Sequence, residues 1–275
     1  MPDTPVHQRI AFIGGGNMAS AIIGGLLRQG LPAACIDVVE PFEAARHKLR
    51  KDFGIEALAA PADALAKAQL VVWAVKPQTF KDAARQARPY VAGALHLSVA
   101  AGIRSDSIAQ WLGTERIVRS MPNTPALVGK GTTALFARGA VSAAEKQQVE
   151  SVIATTGEYV WVGEEQHLDA VTALSGSGPA YVFFFLEAMT QAGAEMGLTR
   201  EQAYKLAVGT FAGAAALAAA SSDPPELLRE RVTSKGGTTY AAITSMESDG
   251  VKALFVKALH AARRRAEELG NEFGR

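Results

Sequence analysis

The stretch Arg9–Glu40, RIAFIGGGNMASAIIGGLLRQGLPAACIDVVE, predicts one continuous dinucleotide-binding unit. An apolar strand over Arg9–Ile13 runs directly into a G-x-G-x-x-A turn. A helix to about Gln29 follows, and then a second strand that ends at the acid Glu40. This order of strand, glycine turn, helix, strand and acid is the context in which the turn binds a pyrophosphate. The alternative interpretation is a glycine-rich turn that only packs a helix on a strand.

The residues of the turn have separate physical roles. Gly14 permits the tight bend, Gly16 lets a pyrophosphate approach the backbone, and Ala19 allows the helix to pack closely on the strand. The start of the helix offers free N–H groups and the positive end of a dipole to phosphate. The predicted cofactor contacts of this segment are Gly14, Gly15, Gly16, Asn17 and Met18, with Glu40 at the end of the second strand.

Composition limits the classes of function. The chain has 275 residues, 48% of them hydrophobic, which is enough for two domains, and its formal net charge is +1. The one dense basic run, Arg263–Arg265, lies beside Glu267 and Glu268 in a predicted helix, so we expect no nucleic-acid partner.

The single cysteine, Cys35, excludes an intrachain disulfide and a cysteine metal cluster. The five histidines show no metal-ligand spacing, so no metal site is predicted.

The N-terminal residues and the most apolar stretch of the chain predict where the protein is located. The N-terminal segment is short and polar and does not resemble a signal peptide. The apolar stretch 206–220 is too short and too rich in Ala and Gly for a membrane span. We therefore expect a cytoplasmic protein with no membrane partner.

Periodicity predicts an α/β fold with two domains. Continuous apolar strands alternate with helices up to about Val162, including a short helix from Ser105 that this serine is predicted to cap. This alternation is typical of a Rossmann-type, doubly wound, mostly parallel sheet covered on both faces. The boundary is predicted near Gly163, with a dinucleotide-binding domain over 1–163 and an all-helical domain over 164–275.

The helical half is unusually apolar for a small bundle in water. The segment Val182–Leu186, VFFFL, would place apolar side chains almost all round one helix. Because such a helix is normally buried on every side, we predict that these helices pack against a second subunit. The alternative is a core helix inside a monomer.

Unusual sequences follow three further predicted strands. In an open parallel sheet, ligands bind beyond the carboxyl ends of the strands. Small residues and proline at these ends can shape a narrow slot for a flat ring. Each segment could also be an ordinary loop in which these residues only end the strand. The segments are Ala74-Val75-Lys76-Pro77, Ala100-Ala101-Gly102 after Val99, and Met121–Pro125 with Asn123 at its centre.

Two hydroxyl-rich segments open helices in the second half. They are Leu174–Tyr181, LSGSGPAY, and Thr233–Thr239, TSKGGTT. Both place hydroxyls and free N–H groups where a carboxylate or phosphate could bind, and both could be simple helix caps. The chain lacks a metalloprotease motif, a cysteine pair and a nucleophile elbow. We therefore expect a cofactor to carry the chemistry, with hydride transfer as the reaction type.

Six motifs, taken in order, resemble the pyrroline-5-carboxylate reductase family over about Arg9–Leu269. They are FIGGGNMA at 12–19, AVKP at 74–77, VAAG at 99–102, MPNTP at 121–125, LSGSGPAY at 174–181 and TSKGGTT at 233–239. The resemblance implies a Rossmann domain followed by a helical dimerisation domain, in homodimers that often assemble into larger rings. It also implies reduction of the cyclic imine of 1-pyrroline-5-carboxylate to L-proline by NADPH or NADH.

The resemblance also implies roles for individual residues. The segments Ala74–Pro77 and Ala100–Gly102 would line the nicotinamide end of the cofactor. Gly236, Gly237 and Thr238 would bind the substrate carboxylate through backbone N–H groups. The Thr239 hydroxyl would face the imine nitrogen and help to deliver its proton, and Ser175 would have a positioning role near the nicotinamide and the substrate. A hydroxyl partner there is chemically sensible, because protonation makes the imine more electrophilic.

Three features leave alternatives open. The family usually has Pro where this chain has Lys235, which could strengthen carboxylate binding or point into solvent. The family often carries a Glu upstream of the substrate loop, where Ser222 or Asp223 could substitute here. Glu40 would accept a hydrogen bond from the ribose 2′-OH of NADH, whereas Arg46 and His47 could favour NADPH, so both cofactors remain possible with NADPH slightly favoured.

Two other function classes are compatible with part of the sequence. A hydroxyacid dehydrogenase of similar architecture would need an acid–base lysine in the helical domain, and neither Lys205 nor Lys235 lies in a motif of that class. A nucleotide-sensing protein without turnover would keep the glycine turn but would not need the Thr233–Thr239 loop.

Overall fold

The computed structural model describes residues 8–273. The chain divides into two compact units. The first contains the chain up to Ser177 together with the stretch from Ala262 onward, and the second is Gly178–Ala261. Each unit is described by itself below.

A seven-stranded sheet forms the centre of the first unit. Its spatial order is β2-β1-β3-β4-β5-β6-β7, and every neighbouring pair is parallel except β5 with β6. The Rossmann-type, mostly parallel sheet is therefore confirmed. The strands are β1 Ile10–Ile13, β2 Ile36–Val39, β3 Leu70–Trp73, β4 Leu95–Ser98, β5 Ile117–Met121, β6 Gly131–Ala137 and β7 Gly157–Trp161.

Helices cover both faces of this sheet. The helices are α1 Asn17–Arg28, α2 Glu43–Phe53, α3 Pro77–Val91, α4 Ser105–Leu112, α5 Ala143–Ile153 and α6 His167–Val171. Side chains of α1 and α5 pack on alternate strand residues such as Phe12 and Val72. Side chains of α3 and α4 pack on the opposite set, which includes Ala11 and Trp73. Because successive strand residues point to opposite faces, two apolar layers result.

Short turns join these elements. Tight 3₁₀ turns span Ala33–Cys35, Asp63–Lys67, Thr124–Val128 and Ala154–Thr156, and a π-helical turn, Thr172–Gly176, extends α6. Cys35 therefore precedes β2 instead of lying in it, and it is only partly buried.

The predicted Ser105 cap is wrong. Arg104 occupies the capping position of α4, and its side chain makes no capping hydrogen bond. The Ser105 hydroxyl instead donates to Glu165 Oε2 at 2.7 Å. Ser105 is the first residue inside the helix and not the residue before it, so its hydroxyl does not hold the capping position.

The second unit is helical. It contains α7 Gly178–Glu195, α8 Arg200–Ala219, α9 Pro225–Arg231, α10 Thr238–Ser248 and the first part of α11 Val251–Phe273, up to Ala261. Phe183 is 59% exposed and Phe184 66% exposed in the single chain. The VFFFL segment is therefore not an internal core helix. None of the helices within residues 8–273 combines the length and apolar character that crossing a bilayer requires.

The boundary between the compact units falls after Ser177, not at the Gly163 boundary predicted from sequence. The reason is that α6 packs on β5 and β6, so it stays with the sheet. The end of α11 also belongs to the first unit, where Leu269 and Phe273 lie against Gly102. The two-domain division at Gly163 remains a prediction about the functional halves.

Candidate active site

The glycine turn at the end of β1 has the shape that the sequence predicts. Gly14 has φ +98°, and a Cβ atom there would lie 2.5 Å from the Ala74 carbonyl oxygen. The Gly14 N–H donates to the Val39 carbonyl at 2.8 Å. A side chain at this position would be strained by its backbone angle and would also collide with the main chain of the next segment.

The start of α1 fits a pyrophosphate. Gly16 caps this helix, and within residues 8–273 no side-chain hydrogen bond to its first N–H groups is found. A Cβ atom on Gly16 would meet no atom within 4 Å, so the space in front of the helix is open. Ala19 behind it is fully buried against the sheet. An open helix N-terminus with unused donors is suited to an anion, so these residues fit the dinucleotide that the motif predicts.

Glu40 lies behind this turn and is buried. It is only 6% exposed, and its carboxylate accepts hydrogen bonds from the backbone N–H groups of Gly15 and Phe42. It is therefore not a solvated charge at the start of a helix. Arg46 donates to the backbone carbonyls of Glu40 and Pro41, whereas His47 is exposed and lies near Glu43.

The four predicted strand ends lie on one edge of the sheet. Register pairs Ile13 with Trp73, Trp73 with Ser98, and Ser98 with Arg119, two residues before the end of β5. The glycine turn, Ala74–Pro77, Ala100–Gly102 and the segment of Asn123 therefore follow neighbouring strands. This carboxyl edge is where a parallel sheet binds its ligand.

The second and third segments are shaped by backbone contacts. The Ala74 N–H donates to the Ile13 carbonyl at 2.8 Å, and Lys76 and Pro77 begin α3. Ala100 is buried, and Gly102 has φ +71°. A Cβ on Gly102 would lie 3.3 Å from Leu269 Cβ, so the end of α11 supports this loop.

Asn123 and Ser175 are brought together. Asn123 Nδ2 lies 3.3 Å from both the Ser175 hydroxyl and the Ser175 carbonyl oxygen, and Asn123 Oδ1 accepts from the Thr132 N–H at 2.9 Å. Ser175 sits in the π-helical turn, where the Ser177 N–H donates to the Thr172 carbonyl. A Cβ on Gly176 would lie 2.4 Å from Met121 Cε, so a larger residue here would have to displace the end of the Met121 side chain. Such π-helical turns occur frequently at functional sites.

The predicted substrate loop lies in the second unit. Gly236 has φ +76°, and Gly237 caps α10 without a side-chain hydrogen bond, so the N–H groups at the start of α10 are not capped. Thr238 and Thr239 are the first two residues of α10, and both are exposed. Lys235 is exposed and lines an open cleft of about 420 Å³ with Arg229 and Tyr240.

Asp223 supports the segment that leads to this loop. Its carboxylate pairs with Arg231, at the end of α9, and its N–H donates to the Ser221 hydroxyl at 3.1 Å. The Ser221–Asp223 turn is thus tied to the helix that precedes Thr233. Ser222 and Asp223 were the two candidates to substitute for the family's upstream Glu. Of these, Asp223 makes an ion pair with the helix before the loop.

A buried ionic cluster around Arg119 was not predicted. Arg119 on β5 is 4% exposed and pairs with Glu165 at 2.5 Å, and Glu165 also accepts from the Ser105 N–H at 2.6 Å. Arg104 makes two hydrogen bonds to Asp169 on α6. Burial raises the pKa of Glu165, but the charge of Arg119 and the Ser105 hydrogen bonds outweigh it and hold that pKa below its usual range. The cluster fastens the start of α6, and thus the turn that carries Ser175, to the sheet.

His96 on β4 is a second buried polar group. Trp73 Nε1 donates to His96 Nδ1 at 3.1 Å, so the remaining proton of the neutral ring is on Nε2. Burial, and secondarily the charge of Arg116, lowers the pKa of His96 from 6.5 to about 4. The histidine is therefore a neutral core residue at neutral pH.

His96 is expected to make the protein less stable in mild acid. Between pH 6.5 and 4 the unfolded chain binds a proton at this residue and the folded chain does not, so the free energy of unfolding falls as pH falls, by about 3 kcal/mol in total. Urea unfolding at several pH values measures the slope, and His96→Gln should remove this component. An equal slope in parent and His96→Gln would contradict the assignment.

A mostly parallel sheet with an open glycine turn, joined to a helical second unit, is typical of one class of protein, the dinucleotide-dependent oxidoreductases. A family model for pyrroline-5-carboxylate reductase dimerisation matches residues 165–269, and one for coenzyme F420-dependent NADP oxidoreductase matches residues 9–102. The pyrroline-5-carboxylate reductase of Pseudomonas aeruginosa is 46% identical over 97% of this chain and 98% of its own length. The chain belongs to the pyrroline-5-carboxylate reductase family.

Solved structures agree with this assignment. A pyrroline-5-carboxylate reductase from Coxiella burnetii superposes with a TM-score of 0.90 at 38% identity, over 96% of this chain and 98% of that one. A Plasmodium falciparum pyrroline carboxylate reductase with NADP bound gives a TM-score of 0.85 at 27% identity, with the same coverage of both chains. The resemblance based on six motifs is therefore confirmed.

Proposed function

We propose that this chain reduces the C=N bond of 1-pyrroline-5-carboxylate with NAD(P)H to give L-proline, the last step of proline synthesis. The observation that carries the proposal is the 46% identity to a pyrroline-5-carboxylate reductase over nearly the full length of both chains. The open helix N-terminus at Gly16 and the neighbouring strand ends provide the dinucleotide site that this reaction needs.

The substrate is proposed to bind at the start of α10. Backbone N–H groups of Gly236, Gly237 and Thr238 would hold the carboxylate, which the positive end of the helix dipole also attracts. The Thr239 hydroxyl would donate a hydrogen bond to the imine nitrogen. A protonated imine accepts hydride more readily, so this contact accelerates the reaction.

The cofactor is proposed to lie along the carboxyl edge of the sheet. Its phosphates would bind at Gly14–Met18, and its nicotinamide would lie near Ala74–Pro77, Ala100–Gly102 and Asn123. When bound, the reduced nicotinamide supplies the hydride. Ser175, held by Asn123, would keep the turn beside the nicotinamide in place. NADPH is slightly favoured over NADH, with support from the relative that was solved with NADP.

The protein is proposed to act as a homodimer that can assemble into a larger ring. The match to a dimerisation model and the exposed Phe183 and Phe184 support an intersubunit role for the second unit. A cytoplasmic location is proposed because NAD(P)H is supplied there. The ionic partners of the Arg263–Arg265 run, Glu267, Glu268 and Glu272, favour an ordinary helix surface over a nucleic-acid contact.

Steady-state oxidation of NADPH and of NADH with 1-pyrroline-5-carboxylate tests the proposal. We expect turnover with formation of L-proline, and the ratio of kcat/KM between the cofactors gives the preference. Cofactor binding without turnover would favour the nucleotide-sensing alternative. Reduction of NAD⁺ or NADP⁺ by a hydroxyacid, with no turnover of 1-pyrroline-5-carboxylate, would favour the dehydrogenase alternative.

A further inference from the structure

The Glu40 carboxylate is fully engaged with backbone N–H groups. Its Oε2 accepts from the Gly15 N–H at 2.8 Å, and its Oε1 accepts from the Phe42 N–H at 2.9 Å. The two oxygens thus join the glycine turn after β1 to the turn after β2. Because the side chain is 6% exposed, these are charge-assisted hydrogen bonds largely shielded from water.

The backbone of Glu40 is fixed as well. Its N–H donates to the Leu58 carbonyl at 2.8 Å, and its own carbonyl accepts from Arg46 Nη1 at 3.0 Å. Arg46 also reaches the Pro41 carbonyl at 2.7 Å. The carboxylate is therefore held in one place by contacts on both sides of the residue.

Gly15 has little freedom to move away from this carboxylate. A Cβ atom on Gly15 would lie 2.6 Å from Leu49 Cδ1 and 3.4 Å from the Glu40 Cβ and Cγ atoms. The residue is thus confined between α2 and Glu40. The next residue, Gly16, caps α1 and faces open space.

We infer that Glu40 is a positioning residue for the phosphate-binding turn. By fixing the peptide group of Gly15, it sets the direction of the following N–H groups at Gly16 and Asn17. This inference rests on the proposed use of a dinucleotide. It differs from discrimination at the ribose 2′ position, because orientation of the turn affects the pyrophosphate, which NADH and NADPH share.

Glu40→Gln tests this role with little change in shape. The carboxamide keeps one acceptor oxygen, but its NH₂ group cannot accept a hydrogen bond, so one of the two backbone N–H groups loses its partner. We expect the Kd values of NADH and of NADPH, measured by calorimetry, to rise by about tenfold each, which is the effect of losing one charge-assisted hydrogen bond. The ratio of the two Kd values should stay within about threefold of the parent's.

Hydrogen exchange in the cofactor-free protein gives a second readout. The Gly15 and Phe42 amides should be protected in the parent, and at least one should exchange faster in Glu40→Gln. Glu43→Gln is the matched control, since this acid lies on the exposed first turn of α2 with a side chain 76% exposed. If Glu40→Gln does not fold, Glu40→Asp keeps the charge but is too short to reach both N–H groups, and the same losses are expected.

The outcomes separate this inference from the proposed function. Weaker NADH binding with unchanged or tighter NADPH binding would overturn it in favour of discrimination at the ribose. Unchanged affinity for both cofactors, in a variant that folds, would also overturn it. A parent that binds both cofactors but does not reduce 1-pyrroline-5-carboxylate would remove the proposed function, and equal weakening by Glu40→Gln would still support the positioning role.

Discussion

Replacing Arg119 with methionine is expected to lower the free energy of unfolding of the first unit by about 3–5 kcal/mol. The guanidinium is 4% exposed, and Glu165 Oε1 lies 2.5 Å from its Nη1 atom. Methionine fills a similar volume but leaves the Glu165 charge without its counterion. Ser105 still donates to that carboxylate, which limits the loss.

Removing the acidic partner, Glu165, is expected to lower the free energy of unfolding by at least as much. Glu165→Gln leaves a buried guanidinium that cannot readily lose its proton, although burial already lowers the pKa of Arg119 against the opposing charge of Glu165. The Nε atom of Arg119 also has no hydrogen-bond partner among the described residues. Because the pair is imperfectly satisfied, Arg119→Met combined with Glu165→Leu should lose less stability than the sum of the single changes.

Tryptophan fluorescence during urea unfolding measures these effects. All three tryptophans, Trp73, Trp111 and Trp161, lie in the first unit. Arg50→Met is the control, because its partner Glu56 lies 2.7 Å away in an exposed pair that we expect to contribute under about 1 kcal/mol. If Arg119→Met costs no more than Arg50→Met, the buried pair does not stabilise the fold.

The meeting of the strand ends at one edge of the sheet could be predicted because its determinants are local. The absence of a side chain at Gly14 is visible in the sequence, and the structure shows the backbone contact that requires it. Strand ends such as Ala74 and Gly102 could be placed together because parallel strands end on one edge. Local sequence therefore specified which segments meet.

The polar contacts could not be predicted in this way, because their partners are distant in the chain. Arg119 and Glu165 are separated by 46 positions, and Arg104 and Asp169 by 65. The hydroxyl of Ser105 had a plausible local partner at its own helix start, but the folded chain supplies Glu165. Glu40 was correctly placed at the end of β2, but its bond to Gly15 depends on how two turns pack.

The compact units and the predicted functional halves divide the chain at different places for a related reason. The sequence pattern places the end of the last strand near Gly163. Packing decides that α6 and the Ser175 turn stay with the sheet, and the buried pairs of Arg104 and Arg119 hold α6 there. The same cluster therefore contributes to stability and fixes a predicted active-site residue.

Thr239→Ala is expected to lower kcat by about 100-fold or more, the range for loss of a group that assists proton transfer. Thr239 is the second residue of α10, directly after the proposed carboxylate-binding N–H groups. The change keeps the backbone donors and a good helix former, so the substrate carboxylate should still bind. Because the cofactor residues lie on the first unit, the Kd of NADPH should change by less than about twofold.

Steady-state kinetics with 1-pyrroline-5-carboxylate and calorimetry with NADPH measure the two effects separately. Thr239→Ser keeps the hydroxyl and should retain most of the turnover, whereas Thr239→Val keeps the shape and should lose it. Thr244→Ala, at an exposed position of the same helix, should leave kcat unchanged. Full turnover in Thr239→Ala would show that the imine proton does not depend on this hydroxyl. In that case solvent or another donor protonates the nitrogen, and α10 would serve only to bind the carboxylate.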